Sequence, residues 1–258
     1  MKSNKDTYQS AKVVQFYARY EQLQKPEEEI LKILRGKLAG MKMLDIGIGA
    51  GRTTAWFAPL VQEYVGIDYA QGMVDACIEK FKEGFPNSRF LQADVRHLDE
   101  FPSGYFDFVL FSFNGIDYIL PEERAAALQQ VRRVLRRGGY FCFSTHNLIS
   151  LYDLHAFELR LNLVAAIRRA LDVRKIKRIN KAQLNTVHAA NYIIINDGAH
   201  DFRLETVYVR PSFQLQQLSK VGYSNVRAFA LTTGKEIDPN NDLGSEKEKW
   251  IYFLCENN

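Results

Sequence analysis

The chain has 258 residues, 47% apolar and 25% charged, with a net charge of +4 and a pI of about 8.8. This is the mix of an ordinary globular protein of one large domain, and its weak basicity alone does not argue for a nucleic-acid partner. Three scattered cysteines without a CxxC, no signal-peptide h-region in "MKSNKDTYQS" and no apolar run near the roughly 18 residues of a membrane span lead to the expectation of a cytoplasmic protein with reduced thiols and no membrane partner.

Two N-terminal helices are expected, "SAKVVQFYARYEQL" and "PEEEILKILRGKL"; Pro-Glu-Glu-Glu suits a first helical turn. From residue 41 to 145, short apolar runs alternate with amphipathic stretches. The predicted strands are 41–47, 64–68, 89–94, 106–113 and 139–145. The helices between them include 52–62, 71–84 and 121–137. This rhythm implies a parallel sheet with crossover helices. "RRGGY" (136–140) is expected to close a helix and re-enter the sheet. Residues 148–210 break the rhythm with a long amphipathic helix over 148–171, a basic segment, and a β-hairpin about Asp197-Gly198. A helix, a glycine and a strand follow from 212, then a polar loop at 236–249 and a last strand at 250–257.

The stretch "LDIGIGAGRTT" (44–54) places three glycines where the first strand ends. In an open α/β sheet, ligands sit beyond the carboxyl ends of the strands, and glycines there let the backbone approach them. A helix beginning near Arg52 would offer free N–H groups to an anion. The run lacks GxxxxGK[ST], so it is no P-loop, and it fails GxGxxG from either Gly47 or Gly49. It fits acid-x-Gly-x-Gly-x-Gly at every position, through Asp45, Gly47, Gly49 and Gly51.

That segment resembles motif I of the class I S-adenosylmethionine-dependent methyltransferases. "VGIDYAQGMVDAC" (65–77), "FLQADVRHL" (90–98), "FDFVLFSFNGIDYI" (106–119) and "VRRVLRRGGYFCFSTHN" (131–147) resemble its later motifs in order. The resemblance covers about 41–147 and 212–257. It implies a Rossmann-like, doubly wound α/β fold: a seven-stranded sheet with its last strand antiparallel. The expected organisation is N-terminal lid helices at 1–37, a cofactor-binding core at 38–147 and 211–258, and a helical and β-hairpin cap insertion at 148–210.

The resemblance also implies site residues. Asp68 would accept from both ribose hydroxyls, Asp94 from the adenine amino group, and the Val95 N–H would meet a ring nitrogen. Tyr69 and Met73 would pack adenine and ribose; Met73 equally suits plain core. The glycines and Asp45 would surround the methionine moiety, with Arg52 near its carboxylate or at a solvated helix start. Phe111, Ser112 and Asn114 would line the methyl side. Tyr17, with Tyr20 as alternate, would reach the cofactor from the lid.

His146 in "STHN" is the candidate general base, since an imidazole titrating near 6.5 suits removal of a proton from a hydroxyl or ammonium. The other reading of His146 is a positioning role. His155, His188 and His200 are further candidates for the acceptor pocket. No metal-ligand spacing is present. The Asp/Asn-Pro-Pro-Tyr/Phe motif of amino-methyltransferases acting on DNA adenine or protein glutamine is missing after strand four, where the chain reads "FNGID". The basic segment 166–181 suits an anionic acceptor or a solvated helix face; it lacks the interleaved aromatics of RNA readers. The expected activity is methyl transfer from S-adenosyl-L-methionine to O or N of a small metabolite, anionic if the basic segment meets it. The rivals are an RNA- or protein-directed methyltransferase and a non-catalytic cofactor-binding module.

Overall fold

A computed structural model describes residues 7–153, 163–238, 243 and 246–258. The sheet core is β1 (Lys42–Ile46), β2 (Glu63–Asp68), β3 (Ser88–Gln92), β4 (Phe106–Phe111), β5 (Leu135–Asn147), β8 (Tyr223–Ala230) and β10 (Trp250–Asn257). Their order is β3-β2-β1-β4-β5-β10-β8. β1 to β5 pair in parallel, while β10 runs antiparallel to both β5 and β8. The order reverses between β1 and β4, which opens a crevice beyond β1. β1 and β4 are nearly continuous apolar runs because both sheet faces are covered. One face buries Leu44, Val65, Val109, Phe141 and Phe253; the other buries Met43, Tyr64, Phe108, Cys142 and Tyr252. The alternation follows the two-residue period of a strand.

Helices α1 (Ala11–Ala18), α2 (Lys25–Leu34), α3 (Thr54–Phe57), α4 (Gln71–Lys80) and α5 (Pro121–Val134) lie in the first half of the chain. α6 (Leu163–Ile179), α7 (Lys181–Asn185) and α8 (Pro211–Val221) follow. α2 enters the second core through Ile30 and Leu34. α1 packs on α4 through Val13 and Met73.

Several boundaries differ from the sequence expectation. The helix expected over 52–62 is one α-turn, α3, followed by a 3-10 turn, Ala58–Leu60. Pro59 cannot donate to the ladder, so the helix stops. α1 ends at Ala18, earlier than expected, and β4 ends at Phe111 because Phe113 and Asn114 adopt positive φ of 55° and 61°. α5 ends at Val134, and "RRGG" does not belong to it: Leu135 already pairs with Phe106. The register then shifts so that Phe108 meets Tyr140, and residues 136–139 bulge. Gly138 supplies φ of 68° there.

The helix expected over 148–171 is not continuous in the described residues. Leu148–Asp153 is a 3-10 segment, and α6 runs on to Ile179 through most of the basic stretch. His155 lies outside the described residues. The hairpin exists, as β6 (Tyr192–Ile195) against β7 (Thr206–Val209), but its connection is 196–205 rather than a tight turn. The Asp197 carboxylate accepts from Ala199 N and Tyr208 Oη at 3.0 and 3.1 Å, so Asp-Gly opens a side-chain-capped turn. β7 also pairs in parallel with the end of β5, at His146↔Tyr208 and Asn147↔Val209, which joins the hairpin to the main sheet. Within the expected polar loop, β9 (Glu236–Ile237) pairs with β8.

Candidate active site

A cavity of about 800 Å³ opens in the crevice beyond β1. Ten of the expected site residues line it: Gly47, Gly49, Arg52, Asp68, Tyr69, Met73, Asp94, Val95, Phe111 and Ser112. Tyr17 and its alternate Tyr20 line it as well. Asp45, Gly51, Asn114 and His146 do not; each stands behind the wall.

The loop glycines have distinct reasons. Gly47, Gly49 and Gly51 hold φ of 66°, 53° and 79°, a region L-residues rarely adopt. A Cβ on Gly51 would strike the Phe81 ring at 2.4 Å, whereas one on Gly49 would meet nothing within 4 Å. Gly51 therefore serves packing, and Gly49 leaves the cavity floor open. Behind them, Asp45 is buried, and its Oδ2 accepts from Thr53 Oγ1 at 2.5 Å and Tyr64 Oη at 2.6 Å. Asp45 thus anchors Thr53, a wall residue. Burial pushes its carboxyl up to about 6.

Asp68 ends β2. Its carboxylate accepts from Gly49 N at 3.0 Å and Ala70 N at 2.9 Å, which ties the acid to the glycine loop. Burial pushes this carboxyl up to about 6 as well. Asp94 is held by Arg96, whose guanidinium reaches it at 2.6 and 3.0 Å and also contacts Glu123 at 2.7 Å. Its carboxyl lies below the usual range: Arg96 outweighs the opposing effect of burial.

Arg52 is no solvated helix start. Its guanidinium makes two bonds to Glu27, at 2.5 and 2.7 Å, one to Ser112 Oγ at 3.0 Å and one to Gln22 O at 3.2 Å. Tyr252 Oη also donates to Glu27, at 3.0 Å.

The His146 imidazole is buried. Nδ1 lies 2.8 Å from Asp117 Oδ2 and Nε2 lies 3.3 Å from Asn114 Nδ2. With Nδ1–H donating to the carboxylate, Nε2 accepts from the Asn114 amide. Asp117 also accepts from the His146 N–H, Thr145 Oγ1 and Arg124. His146 therefore belongs to a buried polar chain at the base of the loop after β4. His200 instead packs on α1, with Nε2 3.4 Å from Tyr17 Oη. His188 packs on Tyr152, away from the cavity lining.

Sequence reading missed Asp117, Glu27, Tyr8, Phe113 and Tyr118. Tyr8, Phe113 and Tyr118 are wall residues. Tyr8 reaches Tyr69 and Tyr118 with ring centroids at 6.0 and 5.5 Å, so it spans the crevice from the β2 side to the β4 side. The aromatic stretch 16–20 was a signal; nothing local marked Tyr8.

The strand order, the glycine loop and an acid ending β2 define an S-adenosylmethionine-type Rossmann crevice. Residues 43–139 match the model of the methyltransferase domain family. This match, the relatives below and the solved structures of similar fold support a class I S-adenosylmethionine-dependent methyltransferase. It is 29% identical over 157 residues to the uncharacterized methyltransferase YcgJ of Bacillus subtilis, covering 60% of this chain and 58% of that protein. It is 32% identical over 144 residues to a ubiquinone/menaquinone biosynthesis C-methyltransferase of Shewanella frigidimarina, covering 52% and 56%. The chain thus spans less than two thirds of these curated relatives. Its fold is similar to that of the Burkholderia thailandensis 1,6-didemethyltoxoflavin-N1-methyltransferase, solved with its substrate and S-adenosylhomocysteine. The TM-score is 0.61 at 14% identity, covering 98% of this chain and 84% of that one. No helix among the described residues is long and apolar enough to cross a membrane, and no cluster among them could hold a metal ion.

Proposed function

We propose that the chain transfers a methyl group from S-adenosylmethionine to an O or N atom of a small molecule. The observation that carries this reading is the Asp68 carboxylate fastened to the Gly49 amide in one open crevice. The residues fit the cofactor: Asp68 would take the ribose hydroxyls, Val95 and Asp94 the adenine, and Gly47 and Gly49 the methionine end. Arg96 would stay on Asp94 and orient that carboxylate. When bound, the cofactor would supply a methyl carbon activated by a sulfonium, a group able to depart as a neutral thioether.

The chain's own contribution is alignment and exclusion of water, an effect worth roughly 7 to 11 kcal/mol at best. Helix α1 with its Tyr17, flanked by Tyr8 and Tyr20, would act as the lid, and residues 148–210 as the acceptor-side cap. His146 would act through Asn114, holding the loop after β4, while the acceptor's proton leaves to solvent. An anionic acceptor draws no support from the described wall residues, whose two guanidinium groups are already paired. The C-methyltransferase relative favours a carbon acceptor as the second reading. The basic residues of α6 would serve a nucleic-acid acceptor, and those described do not line the cavity.

The test is calorimetric titration of wild type and Asp68→Ala with S-adenosylmethionine and S-adenosylhomocysteine. Micromolar-range binding that collapses in the variant supports the site and justifies an acceptor screen by mass spectrometry. Wild-type protein that binds neither ligand overturns the reading.

A further inference from the structure

The half of the cavity beyond β4 lies past the glycine loop and the acid ending β2, and its wall has a definite chemistry. Tyr8, Tyr17, Tyr20, Phe113 and Tyr118 supply it, with Ile119 and Leu120 beside them. The rings meet mostly edge to face or tilted: Tyr8 with Tyr118 at 5.5 Å, Tyr17 with Phe113 at 6.2 Å, Tyr20 with Phe113 at 5.9 Å. Such rings offer both faces and edges to another ring, and aromatic pairs favour these geometries.

The acidic and basic side chains among the described lining residues are Arg52, Arg96, Asp68, Asp94 and Glu123. Arg52 is bound by Glu27, and Arg96 by Asp94 and Glu123. Asp68 faces the glycine loop. Burial raises the phenols of Tyr8, Tyr17 and Tyr118 above their usual range, so they remain neutral donors. An anionic acceptor would find no unpaired cation among the described lining residues. A cationic one would have to approach a sulfonium to about 3 to 3.5 Å, where like charges repel strongly in a site closed to water.

We infer that the acceptor is an uncharged planar aromatic compound, seated among Tyr8, Tyr17, Phe113 and Tyr118. This rests on the methyl-transfer reading above. The ring presents a hydroxyl or ring nitrogen to the methyl carbon; the new bond forms as the carbon–sulfur bond breaks, and the acceptor's proton passes to solvent.

The test uses three probes of one shape and different charge: 1-naphthol, 1-naphthoate and 1-naphthylmethylammonium. Each is titrated calorimetrically into the full chain at neutral pH, with and without saturating S-adenosylhomocysteine. The expected result is naphthol binding at least about tenfold tighter than either charged probe. Tyr118→Leu should weaken naphthol by about tenfold and leave S-adenosylhomocysteine affinity within about twofold. Tyr118→Phe keeps the ring and should keep naphthol affinity. Charged probes that bind as tightly as naphthol, or a Tyr118→Leu chain that binds the cofactor product and naphthol unchanged, overturn the inference alone. Failure of wild type to bind S-adenosylhomocysteine overturns the methyl-transfer reading and this inference with it.

Discussion

Arg52 and Glu27 form a buried, two-pronged ion pair, at 2.5 and 2.7 Å, between the glycine loop and the N-terminal helix α2. Breaking such a pair leaves one charge unpaired away from water, which costs about 3 to 5 kcal/mol. Glu27→Ala is therefore expected to lower unfolding stability by about that amount in a urea titration. A loss below about 1 kcal/mol would show that water reaches Arg52 freely.

Asp68 gives cofactor affinity a pH dependence. Its carboxyl sits at about 6 in the fold, above the usual 3.8. A protonated carboxyl cannot accept from both ribose hydroxyls through both oxygens, so affinity for S-adenosylhomocysteine should rise as pH climbs through about 6. Asp68→Asn should bind weakly with no step there. Stability moves the other way. Between about 4 and 6 the folded chain holds a proton that the unfolded chain has lost, so this group's contribution is full below 4 and is lost as pH rises past 6.

Gly49 and Gly51 share a positive φ but differ in surroundings. Gly51→Ala puts a Cβ into Phe81 and should cost stability beyond the roughly 1 to 2 kcal/mol of a left-handed backbone. Gly49→Ala should cost only about that strain and yet weaken S-adenosylhomocysteine by about tenfold, because its Cβ points into open space. Melting curves and calorimetry on the two variants separate fold from site.

His146→Ala removes the imidazole partner of Asn114 Nδ2 and one of the two partners of Asp117 Oδ2, while the backbone N–H of residue 146 still bonds Oδ2 and Arg124 and Thr145 still bond Oδ1. The expected loss is about 1 to 3 kcal/mol of stability, with the shape of the pH–rate profile unchanged. A fall in kcat of roughly a hundredfold or more together with loss of the acid limb would instead assign His146 as the proton acceptor.

The glycine loop, the acid ending β2 and the alternation of strands were legible because each depends on local rules: period, turn chemistry, and spacing along one strand end. Arg52 was legible as a site residue, but its partner was not. Glu27 lies 25 positions away on a helix whose angle to the sheet is set by packing of Ile30 and Leu34. His146 stood out by residue type alone, and its surroundings depend on where Asn114 and Asp117 fold back upon it.

The sequence by itself determined the doubly wound sheet, the crevice beyond β1 and the glycine loop with the acid ending β2 that line it, since hydrophobic periodicity and glycine placement act within a few residues. Only the tertiary structure decided which side chains face the crevice. It turned Asp45, Asn114 and His146 into the wall's support and brought Tyr8 across to Tyr69 and Tyr118. Those outcomes depend on contacts between distant segments, where burial of apolar surface and pairing of buried charge are settled for the whole chain at once.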